Sequence, residues 1–489
     1  MADYDLAIIG GGLNGVSVAR DAAGRGLRVI LLEQGDLAGG ASQASPRLVH
    51  GDLAMLERRA FLRVRAALAE RDVWLKIAPH LVRPMRFAIP AHSDERPPWL
   101  LRSWLLLYDR LASRSHLPAS ATIDVTHHPI GNALKRPFGT AFEYSDCVVD
   151  DSRLVIANAV DAAERGADFR TGARCVRADR LDTWRLAVID RGHRRVITAR
   201  ALANASGAWT ALTAETVLRM PPPAVGTVRI SQIVVRRLFD TDNIYVFQNT
   251  DRRLIFASPY EGEYTLIGTV ERTFKGDPAI VAMTAADVAY LCDAANRYFR
   301  ERVEPSDVIR AVSGANMVVG PVGKGARDGS MAFDAGRGRA PLLTIFGGDV
   351  TTSRLRAERV VSKLTPFYPM SPRFTAKAPL PGGDFAWQRF DAEVDSARER
   401  WRFLTEAQAR RMVAAYGSRL AAILGDAKSQ ADLGAAFGDD LTAAEVRHLV
   451  TKEWARFPDD ILWRRTKLGL TMPAADRDAL TAFMASAAA

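Results

Sequence analysis

The chain has 489 residues, 48% of them hydrophobic and 25% charged, which is an ordinary globular composition. This length exceeds what a single hydrophobic core usually serves, so two or three domains are expected. The 66 Lys and Arg residues against 56 Asp and Glu give a formal net charge of +10. They are scattered, with no basic run or nucleic-acid motif, which argues against a nucleic-acid partner and leaves a membrane surface open as one.

The cysteines and adjacent histidines of the chain argue against a disulfide framework and a metal site. Its three cysteines form no CxxC pair and no even set, so neither a disulfide scaffold nor a structural zinc site is expected, and a reducing cytoplasm fits best. His127 and His128 are adjacent, and adjacent residues on a strand point to opposite faces, so no metal site is proposed there.

The chain carries no sign of export or of a membrane span. No basic segment followed by an apolar one opens it, so no export signal is expected. The most apolar stretch, Trp99 to Leu107, is short and contains Arg102. We expect a cytoplasmic protein, with peripheral attachment to the inner face of the cytoplasmic membrane left open.

The first elements in chain order predict a βαβ unit. Residues 3 to 9 form an apolar strand pattern, a glycine-rich turn follows, a helix runs to about Gly26, and a second strand from Arg28 ends at Glu33. A helix is expected over Leu154 to Gly166, and a strand over Leu342 to Phe346 with a helix from Thr352 to Leu364 after it. Short strand candidates that predict an antiparallel sheet are Ile230 to Val235, Ile244 to Gln248, Leu254 to Ala257 and Leu266 to Thr269.

A proline- and glycine-rich stretch within residues 379–385 predicts a linker, and residues 386–489 predict a helical C-terminal domain. Thr405 with Gln408 and Thr442 with Glu445 have capping-box spacing, and Gly417 is placed to end a helix. Residues 1–378 precede this linker. One domain, around the βαβ unit, is expected at about 1–90, 150–215 and 335–370, and a second, around the antiparallel strands, at about 91–149 and 216–334.

Gly10, Gly12 and Gly15 form a G-x-G-x-x-G motif between a predicted strand and a predicted helix. In that setting, glycines let the backbone and the helix dipole meet a pyrophosphate. Glu33 follows Gly15 by 18 residues, at the end of the second strand, where it can accept hydrogen bonds from ribose hydroxyls. The unit predicts a Rossmann-type dinucleotide site, without distinguishing FAD from NAD.

Beyond this motif the sequence resembles the FAD-dependent, quinone-linked glycerol-3-phosphate dehydrogenases over nearly its whole length. The matching stretches are Asp5 to Arg47, with Arg20 to Leu27 inside it, Ala78 to Leu81, Pro84 to Phe87, Phe142 to Cys147, Val149 to Val155, Asn204 to Trp209, Ala340 to Leu343, Phe346 to Gly348, Thr351 to Thr352 and Trp463 to Lys467.

The resemblance implies an α/β fold: a Rossmann-type FAD-binding domain, an antiparallel-sheet substrate domain and a helical C-terminal cap. It implies oxidation of a secondary alcohol of a small molecule by hydride transfer to flavin N5, with electrons passed to a quinone or another acceptor, and it leaves a homodimer open. By position it assigns the cofactor to Gly10, Gly12, Gly15, Glu33, Ser42, Ser45, Arg47, Gly207, Gly348, Thr351 and Thr352.

His50 is the candidate for proton transfer, because it matches the family position and histidine titrates near neutrality. A purely structural histidine is the alternative. Arg327 keeps one cation that the family uses at the substrate, and Arg47 and Arg229 replace family lysines without loss of charge.

The substrate half departs from the family pattern. The family stretch His-Gly-Gly-Leu-Arg-Tyr-Leu-Glu is here His50 to Glu57, with three changes, and the family positions Arg, Lys and His are replaced at three further sites. The departures are Asp52, Ala54, Met55, Gln232, Asn316 and Asp349. Asp349 can also be interpreted as a helix N-terminal acid.

These changes remove about three positive charges, and each charge-assisted hydrogen bond contributes roughly 1.5–3 kcal/mol, so affinity for glycerol 3-phosphate is expected to be lower. The main hypothesis is a FAD-dependent dehydrogenase of a polyol phosphate or related alcohol. The alternatives are a FAD-binding homologue without dehydrogenase activity and a flavin oxidase acting on a different small substrate.

Overall fold

Alternating apolar segments form the strands of two large sheets, and amphipathic segments form the helices that cover them. The computed structural model describes residues 2–91, 97–112, 116–135, 139–249, 251, 253–319, 330–336 and 338–487.

The strands in chain order are β1 (Tyr4–Ile9), β2 (Val29–Glu33), β3 (Leu48–Val49), β4 (Val82–Pro90), β5 (Ala121–Asp124), β6 (Thr140–Val149), β7 (Asp168–Thr171), β8 (Ala173–Arg180), β9 (Trp184–Asp190), β10 (His193–Asn204), β11 (Val225–Arg236), β12 (Ile244–Gln248), β13 (Leu254–Tyr260), β14 (Tyr264–Thr273), β15 (Arg310–Val319), β16 (Ser330–Asp334), β17 (Leu342–Phe346), β18 (Ala436–Phe437) and β19 (Leu441–Thr442). The helices are α1 (Leu13–Gly24), α2 (Phe61–Ile77), α3 (Pro98–Leu111), α4 (Asp151–Glu164), α5 (Thr210–Leu212), α6 (Ala285–Tyr298), α7 (Ser353–Ser362), α8 (Phe390–Arg400), α9 (Glu406–Tyr416), α10 (Ala421–Leu424), α11 (Ala443–Glu453) and α12 (Ala474–Ala487).

The first sheet contains the predicted βαβ unit. Its order is β16-β17-β10-β1-β2-β7, and β8 and β9 extend it beside β10. The pairs that β1 makes with β2 and β10, and β17 with β10, are parallel. Leu6, Ala7 and Ile8 in β1 are fully buried, as expected for a parallel strand covered on both faces. α1 packs against α4 and α7 on one face.

The second sheet is the predicted antiparallel one. Its order is β15-β11-β14-β13-β12-β4-β6-β3, with β5 paired to β6. One pair within it, β12 with β4, is parallel. Leu291 and Tyr298 of α6 are buried in a core with Ile233 and Phe247 of this sheet. A second core lies where α2 and α3 pack against β4, β6 and β12.

The two sheets share the chain differently from the expected residue limits. β3 and β4 each pair with β6 in the second sheet, although the first cofactor-binding part was expected to run to about residue 90. β16 pairs with β17 in the first sheet, although the substrate part was expected to reach residue 334. The chain crosses between the sheets inside these expected parts, and such a crossing leaves no change of composition. The domain limits themselves stay a prediction.

The C-terminal domain is helical, as predicted, and gains one small hairpin. α8 to α12 surround a separate apolar core that includes Trp401, Met412 and Leu449. The two-residue strands β18 and β19 pair in antiparallel fashion within it. Strands this short carry no alternating pattern, so they could not be predicted from the sequence.

One predicted capping box of this domain is confirmed and the other is half wrong. Thr405 accepts the N–H of Gln408 at 3.2 Å, and Gln408 accepts the N–H of Thr405 at 3.0 Å. Thr442 does accept the N–H of Glu445, at 3.4 Å. The Glu445 carboxylate instead accepts from the Arg411 guanidinium at 2.8 Å, because that buried cation is the stronger partner. Gly417 follows α9 with φ of 56°, as predicted.

The stretch predicted as a linker is packed against the cofactor region. Leu380 is buried, and its N–H donates to the carbonyl of Ile77, at the end of α2, at 2.7 Å. Within the described ranges, no helix has the length and apolar character needed to cross a bilayer.

Candidate active site

A cavity of about 2180 Å³ lies between the two sheets. One wall is formed by the loops that follow β1, β2, β10 and β17, where strands of the parallel part of the first sheet end. The opposite wall includes Ile230, Phe256, Thr269 and Asn316 from the second sheet. Ligands of α/β sheets bind beyond the carboxyl ends of the strands. The volume exceeds the roughly 1,000 Å³ upper range of ordinary ligand sites, so it has room for a dinucleotide and a small substrate together.

The glycine loop is shaped by close backbone contacts. A Cβ added to Gly10, whose φ is 113°, would lie 2.5 Å from the carbonyl oxygen of Ala205. One added to Gly15 would lie 1.9 Å from the carbonyl oxygen of Gly10. Gly10 and Gly12 line the cavity, whereas Gly15 is buried behind the loop. Gly10 and Gly12 therefore leave the cavity side of the loop open to a ligand, and Gly15 lets α1 pack closely against the loop.

The beginning of α1 suits an anion. Gly12 precedes the helix without a side-chain cap, and no acidic residue lies in its first turn. The N–H of Leu13 donates to Ser42 Oγ, at 3.3 Å. Gly12, Leu13 and Asn14 all line the cavity. Unpaired N–H groups and the positive end of a helix dipole together form a pyrophosphate site, so these residues fit the group that the glycine motif implies.

Glu33 joins the two loops beside this helix. Its Oε2 accepts the N–H of Gly11 at 2.6 Å, and its Oε1 accepts the N–H of Gly35 at 2.7 Å. Burial raises the pKa of Glu33, and these two bonds act against that rise. Each carboxylate oxygen has a second lone pair, so the side chain can still accept a ribose hydroxyl as predicted.

Arg356 and Asn14, near the start of α1, had no role predicted from the sequence. The guanidinium of Arg356, in α7, donates to Asn14 Oδ1 at 2.9 Å and to the carbonyl of Asp349 at 2.8 Å. Asn14 in turn donates to the carbonyl of Gly347 at 3.0 Å. A Cβ on Gly348 would lie 2.2 Å from Arg356 Cζ, which explains the glycine. An arginine inside a helix pattern gives no sequence signal for this role.

Ser45 and Arg47, predicted in the flavin loop, point in different directions. Ser45 lines the cavity, and its hydroxyl donates to Asp151, whose pKa burial raises to about 7. Arg47 is not among the lining residues. Its guanidinium lies 4.7 Å from the centre of the Tyr260 ring and 3.4 Å from Glu261 Oε1, so the structure does not bring this side chain to the cavity.

His50 lies directly after β3 and faces the cavity. The backbone N–H of His50 donates to Thr351 Oγ1 at 3.0 Å, and the Thr351 hydroxyl donates to the backbone carbonyl of His50 at 3.2 Å. Thr351 is held by Trp74, whose Nε1 donates to its carbonyl at 2.8 Å. Thr351, predicted as a cofactor residue, therefore fixes the backbone of the candidate base. Gly207, Gly348 and Thr352 line the cavity as predicted.

A buried polar network lies beneath His50. The N–H of Gly51 donates to the hydroxyl of Tyr108 at 2.7 Å, and that hydroxyl donates to Asp146 Oδ2 at 2.6 Å. Arg71 Nη1 donates to Asp146 Oδ1 at 2.8 Å. Burial raises the pKa of Asp146 and holds that of Tyr108 well above its usual value. The roles of Tyr108 and Arg71 could not be predicted from the sequence, because both residues lie within helices far from the glycine motif.

Three of the six departures from the family pattern surround His50. Asp52, Ala54 and Met55 all line the cavity. Asp52 has φ of 57° and ψ of 75°, a left-handed conformation that favours glycine, which the family has at this position.

The other three departures have separate surroundings. Asn316 lines the cavity, and its Oδ1 accepts the N–H of Met317 at 2.9 Å. Asp349 lines it too, and accepts the N–H of Thr352 at 2.7 Å, which supports its interpretation as a helix N-terminal acid. Gln232 is buried outside the lining and donates to the carbonyl of Ser45 at 2.8 Å.

Arginines at positions that the sequence did not single out also line the cavity. They include Arg58, Arg63 and Arg253. Arg253 Nη1 is buried and has no hydrogen-bond partner among the residues described, and its Nε lies 3.4 Å from Asp251 Oδ2. Arg229 is instead paired with Asp287, and Arg327 lies outside the described residues.

The C-terminal domain contributes to the cavity through the stretch Trp463 to Lys467. Arg464 lines the cavity, and both Arg464 and Arg465 pair with Asp36, in the loop after β2. Arg465 does so in bidentate fashion, at 2.7 and 2.8 Å. Lys467 Nζ lies 2.6 Å from Asp150 Oδ2. Burial alone would raise the pKa of Asp150, but Lys467 and Arg47 lower it to about 2.

Comparisons with known proteins agree with this geometry. Residues 5–354 match the family described as FAD dependent oxidoreductase, and residues 373–489 match the C-terminal domain of alpha-glycerophosphate oxidase. The chain is 42% identical over 476 residues to a glycerol-3-phosphate dehydrogenase of Pseudomonas aeruginosa, covering 96% of this chain and 92% of the relative. It is 41% identical over 484 residues to a D-erythritol 1-phosphate dehydrogenase of Brucella abortus, covering 97% and 96%.

Among solved structures, the chain is similar to a glycerol-3-phosphate dehydrogenase from Bacillus halodurans complexed with FAD. The TM-score is 0.76 at 23% identity, covering 99% of this chain and 90% of the other, which shows a common fold. The predicted fold class is thereby confirmed. The protein belongs to the FAD-dependent oxidoreductase family, and FAD is its cofactor.

Proposed function

We propose that this protein is a dehydrogenase that oxidises a secondary alcohol of a polyol phosphate. The carrying observation is that one cavity is lined both by the glycine loop with the start of α1 and by His50, Asp52 and Arg253. An arrangement of this kind can hold a dinucleotide and a small phosphorylated alcohol in contact.

The cofactor is assigned to the cradle described above. Gly10, Gly12 and the start of α1 hold the pyrophosphate, and Glu33 accepts from the ribose. Ser42, Ser45, Gly207, Gly348 and Thr352 lie along the remainder, with Gly15 supporting the loop from behind. When bound, FAD supplies a hydride acceptor at N5.

The chain's own residues supply binding and proton transfer. His50 takes the hydroxyl proton of the alcohol, since it lines the cavity and its backbone is fixed on both sides by Thr351. Arg253 holds the phosphate, because its buried Nη1 lacks a partner among the described residues and a dianion needs charged donors to replace water. We assign Arg327 to the same phosphate on the resemblance alone.

Divergence from glycerol 3-phosphate is part of the proposal. The cavity is lined by Ala54, Met55 and Asn316 where the family carries arginine, tyrosine and arginine. The name of the Brucella abortus relative indicates that a chain this similar acts on a four-carbon substrate. A polyol phosphate other than glycerol 3-phosphate is therefore the preferred substrate class.

The decisive experiment is anaerobic mixing of the FAD-loaded protein with a panel of polyol phosphates while the flavin absorbance is followed. Bleaching by at least one of them is expected. Fully bound flavin with no bleaching by any would refute the dehydrogenase and favour a FAD-binding homologue without this activity. Peroxide formed in air without added quinone would indicate a flavin oxidase instead.

We propose a quinone as the electron acceptor and peripheral attachment at the inner membrane face. Both are tested together by sedimentation with anionic vesicles at low and high salt, followed by quinone reduction on the vesicles. Binding at low salt that weakens at high salt is expected for a basic protein. Absence of binding at low salt would count against this route. A homodimer is tested separately, by light scattering.

A further inference from the structure

A side compartment of about 70 Å³ lies beside His50, and we propose that it holds the two-carbon hydroxylated tail of a four-carbon substrate. The inference rests on the proposed function and narrows its substrate class. In this arrangement the phosphate lies in the main cavity, the reacting carbon lies at His50, and the remaining carbons enter the compartment.

The compartment and the main cavity meet at a shared set of residues. His50, Asp52, Ala54, Leu254 and Phe256 line both of them. A carbon chain held with its reacting hydroxyl at His50 therefore has two directions in which to extend. Because the candidate base lines both spaces, the carbon next to the reacting carbon can enter the compartment.

The compartment walls suit carbons with hydroxyls. Ile89 from β4, Trp104 from α3 and Val246 from β12 form an apolar side. Asp52, Glu57, Tyr144 and Gln248 supply polar groups. A polyol presents C–H groups on one side and O–H groups on another, so such a mixed lining is complementary to it.

The described charges favour the main cavity for the phosphate. The cations Arg58 and Arg253 line the main cavity, whereas the described lining of the compartment contains no Lys or Arg. A dianion needs charged donors in place of water, and a tail hydroxyl can donate to the Asp52 carboxylate. The substrate orientation follows from this asymmetry.

Two residues make the opening specific to this chain. Ala54 ends at Cβ where the family carries an arginine, so the opening is not filled by a long side chain. Asp52 adopts a left-handed conformation, which glycine adopts more readily than a residue with a side chain. Backbone strain retained at a cavity opening motivates a functional hypothesis, and here the carboxylate that it places is the one nearest His50 in sequence.

The size sets the length of the tail. A single water needs roughly 10–15 Å³ of such volume, so about 70 Å³ accommodates about four or five non-hydrogen atoms. One CHOH and one CH₂OH group together contain four. A three-carbon substrate oxidised at its central carbon places only one CH₂OH group in the compartment, and the three-carbon tail of a five-carbon substrate would exceed it.

The test compares glycerol 3-phosphate with four-carbon and five-carbon polyol phosphates in anaerobic flavin reduction. We expect kcat/KM to favour the four-carbon substrate over the other two by at least about tenfold, since correct filling of a pocket changes kcat/KM by roughly 10- to 200-fold per methylene. Ala54→Leu should lower the ratio of the four-carbon to the three-carbon kcat/KM by about tenfold or more, because the added side chain takes up the volume that the second tail carbon needs. Asp52→Asn should lower it as well, without filling the opening.

The control is Ala69→Leu, the same substitution at an exposed position of α2 outside both cavities, which should change neither value. Flavin content of every variant reports on folding. Equal effects of Ala54→Leu on both substrate lengths would overturn the inference and leave the proposed function intact. If no substrate reduces the flavin, titration of the oxidised flavin spectrum with the four-carbon phosphate decides: weaker binding in Ala54→Leu supports the compartment, and unchanged or absent binding overturns it.

Discussion

At the scale of single residues, Gly15 is the most sharply constrained position of the cofactor loop. A methyl group there would lie 1.9 Å from the carbonyl oxygen of Gly10, so Gly15→Ala must displace either the loop or α1. Such overpacking costs typically about 1–3 kcal/mol. We expect most of the FAD to be lost from the purified protein, measured as the ratio of flavin to protein absorbance.

Gly139→Ala is the matched control for this substitution. Its added methyl group has no neighbour within 4 Å among the residues that the structure describes, so full flavin content is expected. Retention of FAD by Gly15→Ala would show that the loop and helix move apart without disturbing the pyrophosphate site.

His80 gives the protein a pH dependence of its own. The imidazole is 1% exposed, neither ring nitrogen has a hydrogen-bond partner in the described ranges, and burial lowers its pKa from 6.5 to about 3. The unfolded chain therefore takes up this proton near pH 6.5 and the folded protein only near pH 3. The free energy of unfolding should fall as the pH drops below 6.5, by about 2 kcal/mol at pH 5.

His80→Leu separates this contribution from others. Asp151 acts in the opposite sense, since a carboxyl group whose folded pKa is raised stabilises the protein most at low pH and loses that effect as pH rises to about 7. Other groups cancel in the difference between wild type and variant. The Tm of wild type relative to His80→Leu should therefore fall from pH 7 to pH 5; a constant difference would contradict the burial of an uncharged imidazole.

At the scale of elements, α3 is tied to the loop carrying His50 by one hydroxyl. Tyr108→Phe removes the acceptor of the Gly51 N–H and the donor to Asp146. Leaving these buried groups unpaired costs about 1–3 kcal/mol, so a lower Tm is expected. The rate of flavin reduction should fall too, because the loop loses its support.

Tyr264→Phe serves as the control, since Tyr264 is also buried and packs in an apolar cluster with Val234 and Leu266. An unchanged reduction rate in Tyr108→Phe would mean that Thr351 alone fixes His50.

The elements near the motif were predictable from the sequence, and their partners were not. β1, α1 and β2 follow from an apolar strand pattern, a glycine turn and a second strand, all local signals. The positions of Arg356 and Tyr108 depend on which helix packs against the loop, which is a long-range property. The sequence therefore predicted the cofactor cradle but not the side chains that hold it in place.

At the scale of the whole molecule, Asp36 fastens the C-terminal domain to the cofactor loop. Its side chain is 8% exposed and pairs with Arg464 and Arg465. Asp36→Asn removes the counter-charge that both cations share and leaves Arg464 with Asp460 and Arg465 with the more distant Glu453. Breaking a buried pair costs about 3 kcal/mol or more. We expect separate thermal transitions for the two regions in calorimetry, together with weaker FAD retention.

Asp179→Asn is the comparison for that experiment, because its pair with Arg177 is 39% and 49% exposed and should contribute at most about 1 kcal/mol. A single unshifted transition in Asp36→Asn would show that apolar packing, rather than this ion pair, joins the regions.

The domain-level pattern was predictable because composition changes along the chain. Residues beyond about 385 form helices around their own core, as the shift to helical patterns indicates. The participation of Arg464 in the cavity wall was not predictable from spacing, since 428 residues separate it from Asp36. Likewise Arg47 has the family position yet points to Tyr260 and Glu261, because local acids and an aromatic ring attract it.

The long separation between Asp36 and Arg464 has a consequence for biosynthesis. During translation, the glycine loop and Glu33 leave the ribosome early, while the two arginines that neutralise Asp36 follow 428 residues later. At about 5–20 residues per second this delay is about 20–90 s. Stable uptake of the flavin is thus an event of the finished polypeptide, and nascent chains stalled before Arg464 should emerge in apo form.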